Sequence, residues 1–313
     1  MDTRSKQLAA SSRRSAIAGG LSLALAPALA AAQALEEIID IHPHIISADV
    51  TRYPPHPFGG VPSDFAKQRP LPFEELVAQM NAAGVAKAAI VQVSTFYGVD
   101  DSYLADCVAS DPHRFAGVCS IDTFAPDAVK TLAGWRKCGL AGLRIFTGGG
   151  TQPAMLADPR AFPVWEYVEQ EGVPVCVDTH LSGLDNLAVL LRRYPKAVVV
   201  LDHAADPALD EGPPYRQAQA LFDLAAYPNL NLKVTSRTIL QSRAGKSTPE
   251  AFFSRLVAAY GARRMAFGSN IPATPGPLSA VVADARGALS FLSAADRALI
   301  FAGTAKRIYP ALA

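Results

Sequence analysis

Two histidines stand two residues apart in Asp40-Ile41-His42-Pro43-His44, directly after the apolar pair Ile38-Ile39. Side chains of an extended chain alternate faces, so His42 and His44 point the same way. Two imidazoles converging from one strand end supply half of a metal site or of an acid/base site. The chain has six histidines, and His180 and His203 also follow short apolar runs. His56 lies in a proline-rich stretch and His113 in the turn Asp111-Pro112-His113. Further polar residues end apolar runs: Gln92, Ser94 and Tyr97; Arg144 and Thr147; Asp178; Asp202; Lys233, Ser236 and Arg237; Ser269 and Asn270.

The elements that must carry these residues alternate in kind. Strands are expected at Ile38–Ile41, Ala88–Val93, Ala116–Ile121, Gly142–Phe146, Val173–Val177, Ala197–Leu201, Leu230–Val234 and Arg264–Phe267. They are short, nearly continuous in apolar residues and rich in Val, Ile and Leu, as strands covered on both faces are. Helical patterns lie between them: Phe73–Ala83 before Gly84, Ala125–Cys138 before Gly139, Ala161–Gln170 before Gly172, and Leu184–Tyr194 stopped by Pro195. Glycine and proline just past a helix end it for physical reasons. Eight β units with intervening helices predict a single-domain (β/α)8 TIM barrel over residues 35–313. A doubly wound open sheet is the alternative, but it would carry a glycine-rich phosphate turn after its first strand, where this chain has histidines. Barrel enzymes place their chemistry at the C-terminal strand ends, where these polar residues fall.

The segment Ile45–Pro72 has no periodicity and contains Pro54, Pro55, Pro57 and Gly59-Gly60. A long connection at a strand's C-terminal end is expected to lie over the barrel mouth as a lid or pocket wall. Gly148–Gly150 reads as a flexible loop, and as a place where backbone could approach an anion. Tyr97, Phe146 and Trp165 are candidates for an aromatic wall or for core.

The formal charge is +1, with no basic stripe, so nucleic acid is not an expected partner. Cys107, Cys119, Cys138 and Cys176 form neither a CxxC pair nor a disulfide framework. Residues 1–34 read as an export signal: Ser12-Arg13-Arg14-Ser15, an Ala/Leu/Gly stretch over Ala16–Ala31, then the small-residue site Ala32-Gln33-Ala34. The adjacent arginines suggest the twin-arginine route to the periplasm or beyond. The stretch is short and broken by Pro27, which argues against stable membrane insertion.

The order of these pieces resembles the amidohydrolase superfamily, and more closely its amidohydrolase-related branch. The resemblance runs from about Ile38 to Tyr309. It rests on HxH after the first strand, Tyr103-Leu104, Asp111-Pro112-His113-Arg114-Phe115, Gly139-Leu140-Ala141-Gly142-Leu143-Arg144, His180, His203, and Phe267-Gly268-Ser269-Asn270-Ile271-Pro272. The resemblance implies that His42, His44 and His180 match ligands of a divalent metal, usually zinc. His203 matches a residue that binds a second metal or polarises the substrate carbonyl. The strand-eight Asp, which completes the metal shell and takes the proton from water, is replaced here by Asn270. An amide neither accepts a proton nor brings charge to a cation, so the resemblance implies weakened zinc binding and a missing base. Metal-free members that hydrolyse 2-pyrone-4,6-dicarboxylate imply arginines as carboxylate clamps, a role that Arg144 and Arg237 match. Lys233 would face substrate or pair with a barrel carboxylate.

His180 is the first choice for the missing base and His203 the second, with Asp178 or Asp40 as the orienting partner. The expected activity is hydrolysis of a lactone or related ester in a small carboxylate-bearing compound, with Tyr97, Arg144, Lys233 and Arg237 contacting it. A decarboxylase on the same scaffold ranks lower, because decarboxylating relatives carry Glu at the place of His42 and keep the strand-eight Asp. A periplasmic binding protein that has lost turnover, and a zinc hydrolase with Asn270 as a ligand, are the other readings. A second copy of the chain is the expected assembly partner.

Overall fold

Eight parallel strands follow one another around the sheet in chain order. They are β1 (Ile38–Asp40), β2 (Val85–Val91), β3 (Phe115–Ser120), β4 (Leu140–Phe146), β5 (Val175–Asp178), β6 (Val199–Leu201), β7 (Leu230–Thr235) and β8 (Met265–Gly268). The computed structural model describes residues 36–147 and 152–313. Residues 1–34, where an export signal is expected, and the Gly148–Gly150 run lie outside the described residues. The ends of β1 and β8 meet: Ile41 N–H donates to Phe267 O at 3.1 Å and Asn270 N–H to His42 O at 3.0 Å. Asp40 reinforces this seam, accepting from the backbone N–H of His42 (3.0 Å) and of Ser269 (2.8 Å). The fold is therefore the (β/α)8 barrel that the sequence predicts.

Strand periodicity sorts the side chains into two layers. Ile39, Ala89, Val91, Ala116, Val118, Cys176, Val200 and Ala266 pack together inside the barrel, with Tyr309 and Leu312 of the C-terminal segment joining them. Ile38, Ala88, Ile90, Leu143, Val175, Val199, Leu232 and Phe267 pack outward under the helices. The helix Leu184–Arg193 shows how the outer layer forms. Leu184, Leu187, Leu190 and Leu191 recur at helical spacing and are all buried. Each contributes about 1.5–3 kcal/mol of burial, and Leu187→Ala would cost about 2–5 kcal/mol.

Element boundaries moved where a turn was tighter than expected. The helix Phe73–Ala83 ends on Gly84, at φ 69°, and β2 begins at the very next residue rather than at Ala88. Only glycine adopts that left-handed turn without strain. The Ile45–Pro72 segment is a wall rather than a lid. It contains the helix Asp64–Gln68, and its backbone is tied to the β2–β3 connection by His56 N–H to Phe96 O (2.8 Å), Phe58 N–H to Ser94 O (3.1 Å) and Ser63 N–H to Thr95 O (3.2 Å). Ile45, Ile46, Tyr53 and Leu71 are buried beneath it. No helix among the described residues is long and apolar enough to cross a membrane. All four cysteines are free, three of them buried.

Candidate functional site at the barrel mouth

A cavity of about 720 Å³ opens at the C-terminal strand ends. Its wall includes His44, His180, His203, Arg144, Asp178, Arg237 and Asn270. Residues from β1, β4, β5, β6, β7 and β8 thus converge on one space, as the strand-end reading requires. His42 lies just beneath, fully buried, with its ring centroid 4.9 Å from that of His44 and 4.8 Å from that of His203. Gly268 makes room for it, since a Cβ there would sit 2.6 Å from His42 Cβ.

The floor is a buried layer of charge. Arg144, Asp178, Asp202 and Lys233 share the inward parity of Gly142, Cys176, Val200 and Asn231 on their strands. Arg144 Nη2 pairs with Asp178, and its Nε donates to Asp202 Oδ2 at 3.1 Å. Lys233 Nζ lies 2.9 Å from Asp202 Oδ1 and 3.0 Å from His42 Nδ1. Burial opposes ionisation of Asp202, yet Lys233 and Arg144 hold its carboxyl down at about 2. Burial lifts Asp178 above the usual carboxylate range, with Arg144 resisting. Two cations and two anions match, which is the condition for keeping such groups buried.

The histidines are buried as neutral rings. Burial, then the charge of Arg144, brings His44 down to about 3. Burial and neighbouring cations push His42 well below its ordinary range, and burial does the same to His203 against the pull of Asp202. His44 Nδ1–H donates to Val91 O at 2.8 Å, leaving Nε2 as that ring's acceptor. His203 Nδ1 lies 2.8 Å from Thr235 Oγ1. His180 differs: its side chain is 43% exposed, and its Nε2 lies 3.4 Å from Asp206 Oδ2.

The turn after β6 sets this geometry. His203, Ala204, Ala205 and Asp206 all have positive φ (55°, 51°, 62° and 49°). Left-handed backbone costs roughly 1–2 kcal/mol per residue with a side chain, so the turn is strained. It delivers both His203 and Asp206 to the site. Asn270, at φ 59°, also occupies this region, which Asn tolerates better than most residues. Its Nδ2 donates to Thr274 Oγ1 at 3.3 Å.

Several expectations are corrected by these positions. Tyr97 does not reach the cavity; it is buried, its hydroxyl accepting from Ser47 N–H at 2.8 Å. Burial lifts that hydroxyl to about 12. Trp165 is core, stacked on Tyr194, whereas Phe146 lines the cavity. Lys233 takes the barrel-carboxylate alternative and lies beneath the cavity wall. Arg144 and Arg237 are not free clamps, because Arg237 Nη2 donates to Asp206 Oδ2 at 2.6 Å and Arg144 is held by two aspartates. Asp178 belongs to Arg144 and Asp40 to the barrel seam, so neither orients His180. Asp206 does, and sequence reasoning missed it. Its only signal was a second acid shortly after β6, and nothing in Ala204-Ala205 announces a left-handed turn.

Among the described residues, no three His, Cys, Asp or Glu side chains are arranged to hold a metal ion. His42 Nδ1 faces an ammonium, His180 turns to Asp206, and Asn270 brings no charge to strand eight. These residues do not fit a zinc centre.

Known proteins agree with the architecture. The sequence model of the amidohydrolase family matches residues 39–311. An L-fucono-1,5-lactonase of Burkholderia ambifaria is 27% identical over 243 residues, covering 75% of this chain and 80% of that protein. An amidohydrolase structure from Burkholderia multivorans with bound zinc superposes with a TM-score of 0.70 at 23% identity, covering 88% and 99% of the two chains. A putative 2-pyrone-4,6-dicarboxylic acid hydrolase from Pseudomonas putida gives a TM-score of 0.72 at 21% identity, covering 88% and 98%.

Proposed function

The chain belongs to the amidohydrolase family, and from that premise we propose that it hydrolyses a neutral, hydroxyl-bearing lactone. The observation that carries this reading is the pairing of every cation that lines the cavity among the described residues. Arg144 is held by Asp178 and Asp202, Arg237 by Asp206, and Arg243 by Asp284. A dicarboxylate would enter a cavity with no uncommitted positive charge. A neutral lactone needs no such charge, which favours the sugar-lactone relative over the pyrone dicarboxylate as a guide.

In this scheme His180, open to solvent and steadied by Asp206, takes a proton from water as it attacks the lactone carbonyl. The ring C–O bond then breaks, and the alkoxide leaving group recovers that proton to give a hydroxy acid. His44 Nε2 accepts from a substrate hydroxyl, and Asn270 orients the substrate through its amide. The reaction is proposed to run on these imidazoles without zinc, because Lys233 occupies the neighbourhood of His42. Residues 1–34 are proposed to direct export, which cell fractionation of the full chain would check.

The test is a pH-indicator assay of aldono-1,5-lactones beside 2-pyrone-4,6-dicarboxylate. Aldonolactone turnover is expected, falling about 10²–10⁴-fold in His180→Ala. Preference for the dicarboxylate would overturn the substrate assignment. Binding without turnover across the panel would favour the second reading, a binding protein, to which Asn270 in place of the strand-eight Asp lends its support.

A further inference from the structure

His42 and His44 look equivalent in sequence, but their surroundings give them opposite hydrogen-bonding requirements. His44 Nδ1 faces the Val91 carbonyl at 2.8 Å, and a carbonyl only accepts. Its proton therefore sits on Nδ1, and Nε2 carries the lone pair. His42 Nδ1 faces Lys233 Nζ at 3.0 Å, and an ammonium only donates. The proton of a neutral His42 must then sit on Nε2. That atom is buried and has no hydrogen-bond partner among the described residues. Asp202 Oδ1 also approaches His42 Nδ1, but at 3.6 Å, while lying 2.9 Å from Lys233. The carboxylate is better placed to hold the ammonium than to compete for the ring. Burial opposes the charge on Lys233, and Asp202 restores it.

We propose that Lys233 is a positioning residue: it fixes His42 with its proton on Nε2, so that the HxH pair carries opposite tautomers, with His44 an acceptor at the cavity wall and His42 a donor buried beneath it. A fixed ammonium then organises the pair where metal-dependent members of the fold would use a cation. In this tautomer the Nε2 lone pair of His42 is absent, so that nitrogen cannot serve as a ligand. His44 Nε2 is then the member of the pair that meets the cavity, an acceptor suited to a hydroxyl or a water molecule. That last clause rests on the hydrolase reading above; the tautomer assignment does not.

The assignment is measurable in the unmodified protein. Uniform ¹⁵N-histidine labelling and long-range ¹H–¹⁵N correlation near pH 7 would report the protonated nitrogen of each ring. His42→Gln and His44→Gln spectra supply the assignments. His42 is expected to show an unprotonated Nδ1 and a protonated Nε2, and His44 the reverse. In Lys233→Met, His42 should lose its fixed pattern, by averaging or by transfer of the proton to Nδ1, while His44 keeps its own. Because Lys233→Met leaves Asp178 and Asp202 to share Arg144 alone, the double variant Lys233→Met/Asp202→Asn repeats the measurement with charges matched. If lactone turnover is present, kcat should fall at least tenfold in the double variant with KM less affected. A proton on His42 Nδ1 in the wild type would overturn the proposal. So would a His42 pattern indifferent to loss of Lys233, or zinc binding at His42 Nε2. The expected pattern in a protein that turns over no lactone would retain the positioning role and remove only the proposed reaction.

Discussion

Burial of three neutral imidazoles makes the fold sensitive to acid, and His44 allows the effect to be isolated. The unfolded chain takes up a proton on His44 near pH 6.5, whereas the folded chain does so only near 3. Between those values the unfolded state binds more protons, so stability is lost as pH falls. The contribution is intact above pH 6.5, and it shrinks by about 1.4 kcal/mol for each pH unit below it. From pH 7.5 to 5.5 His44 alone should remove about 1.4 kcal/mol. His42 and His203 add to this in the same direction, while the raised carboxyls of Asp40, Asp101 and Asp178 work against it. Comparison with His44→Gln cancels those shared terms. Urea unfolding of both proteins at half-unit pH steps gives the difference curve. It should be flat above pH 7, then slope so that the variant loses about 1.4 kcal/mol less by pH 5.5. In thermal melts this is roughly 2–3 °C. A difference curve that stays flat to pH 5 would refute the argument, because it would mean that folded His44 is open to protons.

The charge layer predicts non-additivity. Arg144→Met strands Asp178, leaves Asp202 to Lys233 alone and should cost about 3–5 kcal/mol, part of which Arg144→Met/Asp178→Asn restores, as urea unfolding would show. Gly268→Ala forces a methyl onto His42 Cβ; it should cost about 1–3 kcal/mol and shift the His42 imidazole resonances more than those of His180. At Asn270, Val should cost more than about 1 kcal/mol in urea unfolding and more than Gly does, because φ 59° admits glycine but not a β-branched residue.

The barrel was legible because β-periodicity and helix stops are local: Ile38-Ile39, Gly84 and Gly172 announce themselves within a few residues. The site was legible as a set of strand ends, since parity places Arg144, Asp178, Asp202 and Lys233 on one side of their strands. What could not be read was partnership. Whether Asp178 serves His180 or Arg144 depends on how neighbouring strands are staggered, and the stagger is set by barrel closure. Likewise Tyr97 lies in the right connection but turns into the core, and no pattern in Ser94-Thr95-Phe96-Tyr97 distinguishes the two directions. The seven residues from Leu201 to Pro207 were the least readable, because alanine gives no warning of left-handed backbone.

That left-handed turn also sets a length. It spans the distance from His203, on the floor beside His42, to Asp206, at the solvent-facing His180, in four consecutive residues of left-handed backbone. The turn sets His203 in the cavity wall and Asp206 behind His180 and Arg237, which line the same cavity. The turn is thus frame-sensitive: one inserted or deleted residue would swing Asp206 away and leave His180 and Arg237 without their common carboxylate. Substrate scope in such a barrel can drift through the wall residues Phe65, Thr95, Leu240 and Val281. The spacing between His203 and Asp206 is the part that cannot drift.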